Sequence, residues 1–356
     1  MTILPIISSI FAFAFTYFLV PYFRKAASYL QLVDKPNYRK VHATPIPLVG
    51  GIAVFFGIML ALKIAFPFEI DLADYNFIFK LAGVLLFVGV LDDRFDLRAS
   101  LKLAIQLVLA HLVFMQGIKI ESLHGLWGIY ELAPWLQYGL TVLVIAGTVN
   151  AFNLMDGIDG LAAGLAIIGF SVYAILAAIS GQATLVIVFV TFIGALTAFL
   201  RFNLSKNNKI FMGDAGSLML GFVLVVFGIH MLQEVNASEH ITLVTLGVIA
   251  VLLLPVLDAL RVFRKRAKSG KSPFQADKTH LHHLILATGL KHLPATLAIV
   301  TLMVMLLTLG YFSFHIMGLT LAFVSMLLTF YVITGLLSFH NQMKCWVSQI
   351  RQMEKQ

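Results

Sequence analysis

Charge is scarce in this chain: Asp, Glu, Lys and Arg make up 12% of its 356 residues, against 60% hydrophobic. Soluble globular domains carry about twice that share of charge, so a water-soluble fold is excluded. Cysteine is nearly missing too. A single thiol, Cys345, rules out an internal disulfide and leaves no cysteine partner for a structural zinc site. The apolar stretches lack the alternation of barrel strands and are too long for them, which leaves helices as the spanning elements. No loop is long enough to form a soluble domain of its own, and no internal repeat of fixed period is visible. The expected class is an all-α polytopic integral membrane bundle.

Apolar segments of about the spanning length run approximately over 2–23, 46–66, 76–91, 99–117, 132–151, 158–179, 183–202, 215–233, 241–260, 295–315 and 317–338, or about eleven transmembrane helices. The first has no basic flank and no small-residue cleavage site, so it reads as a retained helix rather than a signal peptide. Of the 25 lysines and arginines, all but Lys63, Lys80 and Lys119 fall in alternate loops on one side. That asymmetry makes the crowded face cytoplasmic, the N-terminus periplasmic and the C-terminus cytoplasmic. It also accounts for the net charge of +8, so no nucleic-acid partner is expected. The expected organisation is one transmembrane catalytic unit over 1–340, with cytoplasmic loops at 24–45, 92–98, 150–159, 201–214 and 261–294, followed by a cytoplasmic tail over 341–356.

The polar clusters all fall on that basic face. Asp92-Asp93 follows an apolar segment. Adjacent carboxylates repel, so unless they are solvated they need a cation or a shared proton; a magnesium ligand, a general base and a pair of solvated turn residues are the three readings. Asn150, Asn153, Asp156 and Asp159 recur every third residue. On helical geometry they would line one face at the end of the fifth span, and burying such a stripe without partners would cost several kcal/mol per group. A helix cap explains one of the four, not all. Asp214 sits between glycines just before an apolar segment, either as a helix cap or as a carboxylate beside a phosphate-friendly helix start. His280, His282 and His283 end a loop rich in Arg and Lys, including Arg264 and Lys278. Their spacing is not that of a helical zinc site. Cations and imidazoles together fit a diphosphate better, beside a general attraction to acidic lipid headgroups.

In combination, Asp92-Asp93, the stretch from Asn150 to Gly160, Phe211 to Ser217 and His280-Leu281-His282-His283 resemble the polyprenyl-phosphate N-acetylhexosamine-1-phosphate transferase family. The similarity runs from Leu32 to His283, and Leu281, interrupting the histidine run, favours the GlcNAc-type branch over the muramyl-pentapeptide branch. The resemblance implies transfer of GlcNAc-1-phosphate from UDP-GlcNAc to undecaprenyl phosphate at the cytoplasmic face of a bacterial inner membrane. Such a step begins a cell-surface polysaccharide such as lipopolysaccharide O-antigen. It further implies Mg2+, replaceable by Mn2+, on Asp214 and Asn153. Asp92 and Asp93 would flank the acceptor phosphate with one of them as its base, Asp156 and Asp159 would shape the nucleotide site, and Phe211 would stack on uracil near Asn203. His280, His282 and His283 would hold phosphates and sugar, with Arg264 and Lys278 clamping the diphosphate. Members are often dimeric, so a homodimer is an expectation from the resemblance alone. The rival from another class is a carrier of nucleotide sugars or lipid-linked sugars, which should place its polar residues near the midplane of broken helices.

Overall fold

The computed structural model describes residues 3–34, 45–65, 75–235, 239–270 and 279–353. They form α1 (Ile3–Leu30), β1 (Val33–Asp34), β2 (Ile46–Pro47), α2 (Gly50–Ala65), α3 (Asn76–Phe95), α4 (Ala99–Met115), α5 (Pro134–Met155), α6 (Leu161–Ile179), α7 (Ala183–Asn203), α8 (Gly213–Glu234), α9 (Ile241–Lys268), α10 (Leu281–Ala287) and α11 (His292–Met353), with a single 3-10 turn at Leu126–Gly128. Among the described residues, seven helices are long and apolar enough to cross a membrane: α1, α5 to α9 and α11. α2 and α4 are apolar but shorter.

The packing centres on α8. Every residue from Ala215 to Ile229 is buried, and α3, α5, α2 and α9 pack around it. A helix apolar on all sides has no face to show to water, so a central position follows from its sequence. Lipid gives no hydrophobic drive for helix association, and close contact rests on small residues instead. At the start of α8, Gly51 on α2 and Gly89 on α3 lie directly against the backbone of residues 214–216, where a methyl group would overlap main-chain atoms.

α11 has 62 residues. Straight, it would extend roughly 90 Å, about three times the hydrocarbon core. It folds back instead at Gly318, whose φ of 81° and ψ of 178° form a combination essentially confined to glycine. Ser325 Oγ donates to Ser313 Oγ at 3.2 Å, and Asn341 and Lys344 return to the carbonyls of Leu284 and Thr288 at 2.9 and 2.8 Å. The two halves are antiparallel, matching the separate segments 295–315 and 317–338 read from the sequence.

Three local expectations differ. The chain is nearly all helical, yet β1 pairs antiparallel with β2, and Leu48 bridges to Phe211. Asp92 and Asp93 lie on the last turn of α3 rather than in a turn beyond it, and Arg264 lies on α9, which continues to Lys268. Good helix formers prolong α9, and its final Lys265, Arg266 and Lys268 suit the negative end of the macrodipole. The stripe from Asn150 to Asp159 is not one helical face either. α5 stops at Met155, Asp156 leaves helical geometry (φ −75°, ψ 61°), and Gly160 turns the chain with φ 78°.

Candidate active site

The C-terminal ends of α3, α5, α7 and α9 meet the N-terminal ends of α4, α6, α8 and α10 at one end of the bundle, and among the described residues the acidic and histidine clusters read from the sequence are there. Consecutive residues on a helix point about 100° apart, and this separates the two aspartates. Asp92, buried, pairs with Lys102 Nζ from α4 and accepts from the Leu97 amide at 2.8 Å. Asp93 reaches the other way, its two oxygens accepting from the amides of Asp214 and Ala215 at 2.9 and 3.2 Å. The first amides of any helix lack internal partners, and α8 has no side-chain cap of its own. Asp93 therefore caps α8 from a neighbouring helix. Asp214 is not the cap anticipated as one reading: it stands in the first turn, after Gly213 at φ 73°.

Asp214 in turn receives Lys102 Nζ at 3.2 Å. One ammonium thus lies between the carboxylates of Asp92 and Asp214, with Asp93 adjoining. Three acids crowd one base here, so they are ionised together only if a further cation joins them; otherwise a proton is retained. Asn153 donates to Ser217 Oγ at 2.8 Å and has its amide within reach of Asp214. Asn150, by contrast, turns to α4, bonding Gln106 Oε1 and the Ala146 carbonyl.

The Asp156 side chain has no hydrogen-bond or ion-pair partner among the described residues, and its carboxyl is pushed up to about 7 by burial, then by the charges of Asp214 and Asp159. The sign follows. A carboxyl whose folded value lies above its ordinary value near 4 costs nothing below that value, progressively destabilises the fold as pH rises, and reaches its full penalty above about 7. Asp156→Asn should therefore melt at a temperature close to the unmodified protein at pH 4 and clearly above it at pH 8, measured by thermal scanning without nucleotide or divalent ions. A difference that stays constant across that range would show that Asp156 is not held in its neutral form.

Along another edge, Asp159 accepts from Lys209 Nζ at 2.6 Å and lies 3.5 Å from His292 Nδ1. Lys209 Nζ also sits 5.4 Å from the centre of the Phe211 ring. The main chain of Phe211 is tied to the entry of α2: its amide donates to the Pro47 carbonyl and its carbonyl accepts from the Gly50 amide, both at 2.9 Å. Asn203 is buried and spends its amide on structure, accepting from Gly160 N at 2.6 Å and donating to the Ile210 carbonyl at 2.9 Å. It thereby ties the turn carrying Asp159 to the loop carrying Phe211.

The histidines close the third edge. His280 Nδ1 lies 2.8 Å from Asp258 Oδ2, and its ring is parallel to that of His282 at 6.0 Å, with His283 4.2 Å beyond His282. His282 is buried against Gly157, where any side chain would strike its ring. Burial, then the neighbouring His283 and His280, push it down to about 3, so it stays neutral at physiological pH. Its Nδ1 finds no hydrogen-bond partner among the described residues. Arg264 is exposed on α9, and Lys278 lies outside the described residues.

Three members of this site were missed in the sequence, Lys209 beside Asp159 being one of them. Lys102 looked like one basic loop residue among many, and Asp258 was absorbed into the apolar segment 241–260. An ionisable residue inside such a segment is itself the signal that finds Asp258.

Among the described residues, no three His, Cys, Asp or Glu side chains form a ready metal-binding group. Asp214, Asn153 and Asp92 nevertheless offer oxygen donors alone. Such a set fits Mg2+, which takes one or two carboxylates and completes its shell with water and substrate phosphates.

Apolar helices gathering carboxylates, an ammonium and imidazoles at one end define a polytopic membrane protein with a polar site made from helix termini. Residues 76–232 match glycosyl transferase family 4. The chain is 37% identical over 287 residues to the undecaprenyl-phosphate alpha-N-acetylglucosaminyl 1-phosphate transferase of Yersinia pestis, covering 79% of this chain and 76% of that one. To the protein of the same description in Escherichia coli K12 it is 33% identical over 309 residues, covering 84% and 81%. A probable undecaprenyl-phosphate N-acetylglucosaminyl 1-phosphate transferase of Bacillus subtilis is 35% identical over 288 residues, covering 79% and 77%. The chain belongs to glycosyl transferase family 4, among the polyprenyl-phosphate N-acetylhexosamine-1-phosphate transferases.

Proposed function

We propose that this protein transfers GlcNAc-1-phosphate from UDP-GlcNAc to undecaprenyl phosphate, forming undecaprenyl-diphosphate-GlcNAc and releasing UMP. The observation that carries the reading is the meeting of Asp92, Lys102, Asn153 and Asp214, from four helices, at one end of an apolar bundle whose relatives are described as enzymes of this type. A transporter's midplane polar pathway is not what this concentration at one end resembles.

An oxygen of the lipid phosphate attacks the phosphorus bearing the sugar, in line with the bond to the bridging oxygen. A new P–O bond forms as the old one breaks, and UMP departs with the electron pair. Two anions must meet, so positioning and charge neutralisation supply most of the catalysis. Asp214 and Asn153 would hold Mg2+, with Mn2+ as a substitute, and the ion supplies neutralisation of the phosphate charge. Asp92 stands beside the acceptor and takes any proton its phosphate still carries, while Lys102 offsets the charge between Asp92 and Asp214. The Asp159, Lys209 and Phe211 edge takes the uridine, and His280 faces the diphosphate.

In the same reading, the α11 hairpin contributes two crossings, α2, α3 and α4 cross beside the longer helices, and the total is eleven. The basic face then puts the site at the cytoplasmic side of a bacterial inner membrane, and the product starts a surface polysaccharide of the O-antigen kind.

The test uses purified protein, undecaprenyl phosphate and UDP-GlcNAc labelled in the sugar. Label should pass into butanol-extractable lipid, depend on a divalent ion and return to UDP-GlcNAc when UMP is added. Transfer from a different UDP-N-acetylhexosamine alone would reassign the donor; movement of intact nucleotide sugar across vesicles without transfer would favour the carrier.

A further inference from the structure

Asp258 is completely buried within α9, yet it has no part in the scheme above. Its carboxylate is nonetheless fully engaged. Oδ2 faces His280 Nδ1 at 2.8 Å, while Oδ1 accepts from the Leu281 amide at 2.9 Å and from Arg261 Nη2 at 2.7 Å. Arg261 Nη2 also donates to the Thr279 carbonyl at 2.6 Å. Residues 279 to 281, where the chain enters α10, are therefore fixed to α9 through one carboxylate and its guanidinium. An anion this deep is costly unless every lone pair is used, and here the partners lead to one imidazole.

We infer that Asp258 is a positioning residue for sugar-phosphate transfer, holding the His280 ring by Nδ1–H so that Nε2 is presented to the substrate. The inference rests on the transferase reading. A carboxylate on one imidazole nitrogen sets the tautomer and the rotation of the ring, and stabilises the positive charge the ring gains when it meets an anion. His280 Nε2 makes no hydrogen bond among the described residues. Among the described residues, the parallel ring of His282 and its neighbour His283 on α10, with Arg261 on α9, are the other ionisable groups at the ring. His282 stays neutral and buried, so among the two adjacent rings it is His280 whose orientation is anchored by a charge.

The experiment has two arms. In the first, 15N-histidine spectra of the full-length protein, with the His280 signal assigned by its loss in His280→Ala, should show Nδ1 protonated and Nε2 bare at alkaline pH. The opposite tautomer in the unmodified protein overturns the inference, whether or not any variant folds and whether or not transfer is observed. In the second arm, Asp258→Asn should lower kcat about 10- to 100-fold with little change in KM for UDP-GlcNAc. Combined with His280→Ala, it should add little to the loss from His280→Ala alone. Losses that multiply in the double variant would assign Asp258 a general folding role and defeat the proposal. Absence of transfer by the unmodified protein would instead strike the transferase reading, leaving the tautomer arm to decide on Asp258.

Discussion

Asp214→Asn is expected to lower sugar-phosphate transfer on the order of a thousandfold, the scale seen when one preorganised electrostatic group is removed from an active site, while leaving the thermal midpoint nearly unchanged. The structure separates the two effects. Asp93 bonds the main-chain amides of residues 214 and 215, so replacing the Asp214 side chain with its isosteric amide leaves the α8 cap intact. What disappears is the charge facing Lys102 and the carboxylate proposed to hold the divalent ion. Label transfer into extractable lipid, set beside a melting curve, checks both halves of the expectation. A rate within tenfold of the unmodified protein would take Asp214 out of the reaction. Asp93→Asn makes an informative contrast, since it touches the cap and leaves the Asp214 carboxylate in place.

The second large effect comes from a residue without a side chain. At Gly89 on α3, an added methyl would overlap the backbone of Asp214 and Ala215. Neither partner can give way cheaply, because both atoms belong to a helix that is buried on all sides. Gly89→Val should push α3 and the start of α8 apart by about 1 Å, a displacement that typically costs around 100-fold in rate when it falls on reacting groups. Gly139→Val is the control, since nothing lies within 4 Å of its position. Activity per folded protein, measured on the monodisperse fraction from size exclusion, distinguishes misplacement from misfolding. Retention of at least half the activity by Gly89→Val would mean that the α3 to α8 contact does not position the site.

Much of this site was legible from the order of residues alone. Asp92, Asn153, Asp159, Asp214 and His280 flank apolar segments whose alternation carries them to the same side, and the structure brings them to one end of the bundle. The reversal at Gly318 was visible as two segments with one short break. Other features depend on rotation and on partners far away in the chain. Nothing in the pair Asp92-Asp93 reveals that one meets Lys102 while its neighbour crosses to an amide 121 residues later. Asn203 looked like a substrate contact, but its amide is used by Gly160 and Ile210. The regular spacing from Asn150 to Asp159 suggested a single face; two glycines and the early end of α5 instead distribute those side chains between α4, α8 and Lys209. Asp258 was hidden by hydropathy averaging, in which one charge among leucines and valines hardly changes the sum.

The capping of α8 by Asp93 also decides where a diphosphate must look for its counter-charge. The positive pole of that helix, elsewhere a ready berth for phosphate, is already occupied by a carboxylate of the protein itself. Neutralising an incoming nucleotide sugar thus falls to Lys102, Lys209 and His280 and, in the proposed reading, to a divalent ion whose concentration in the surrounding medium would then govern turnover.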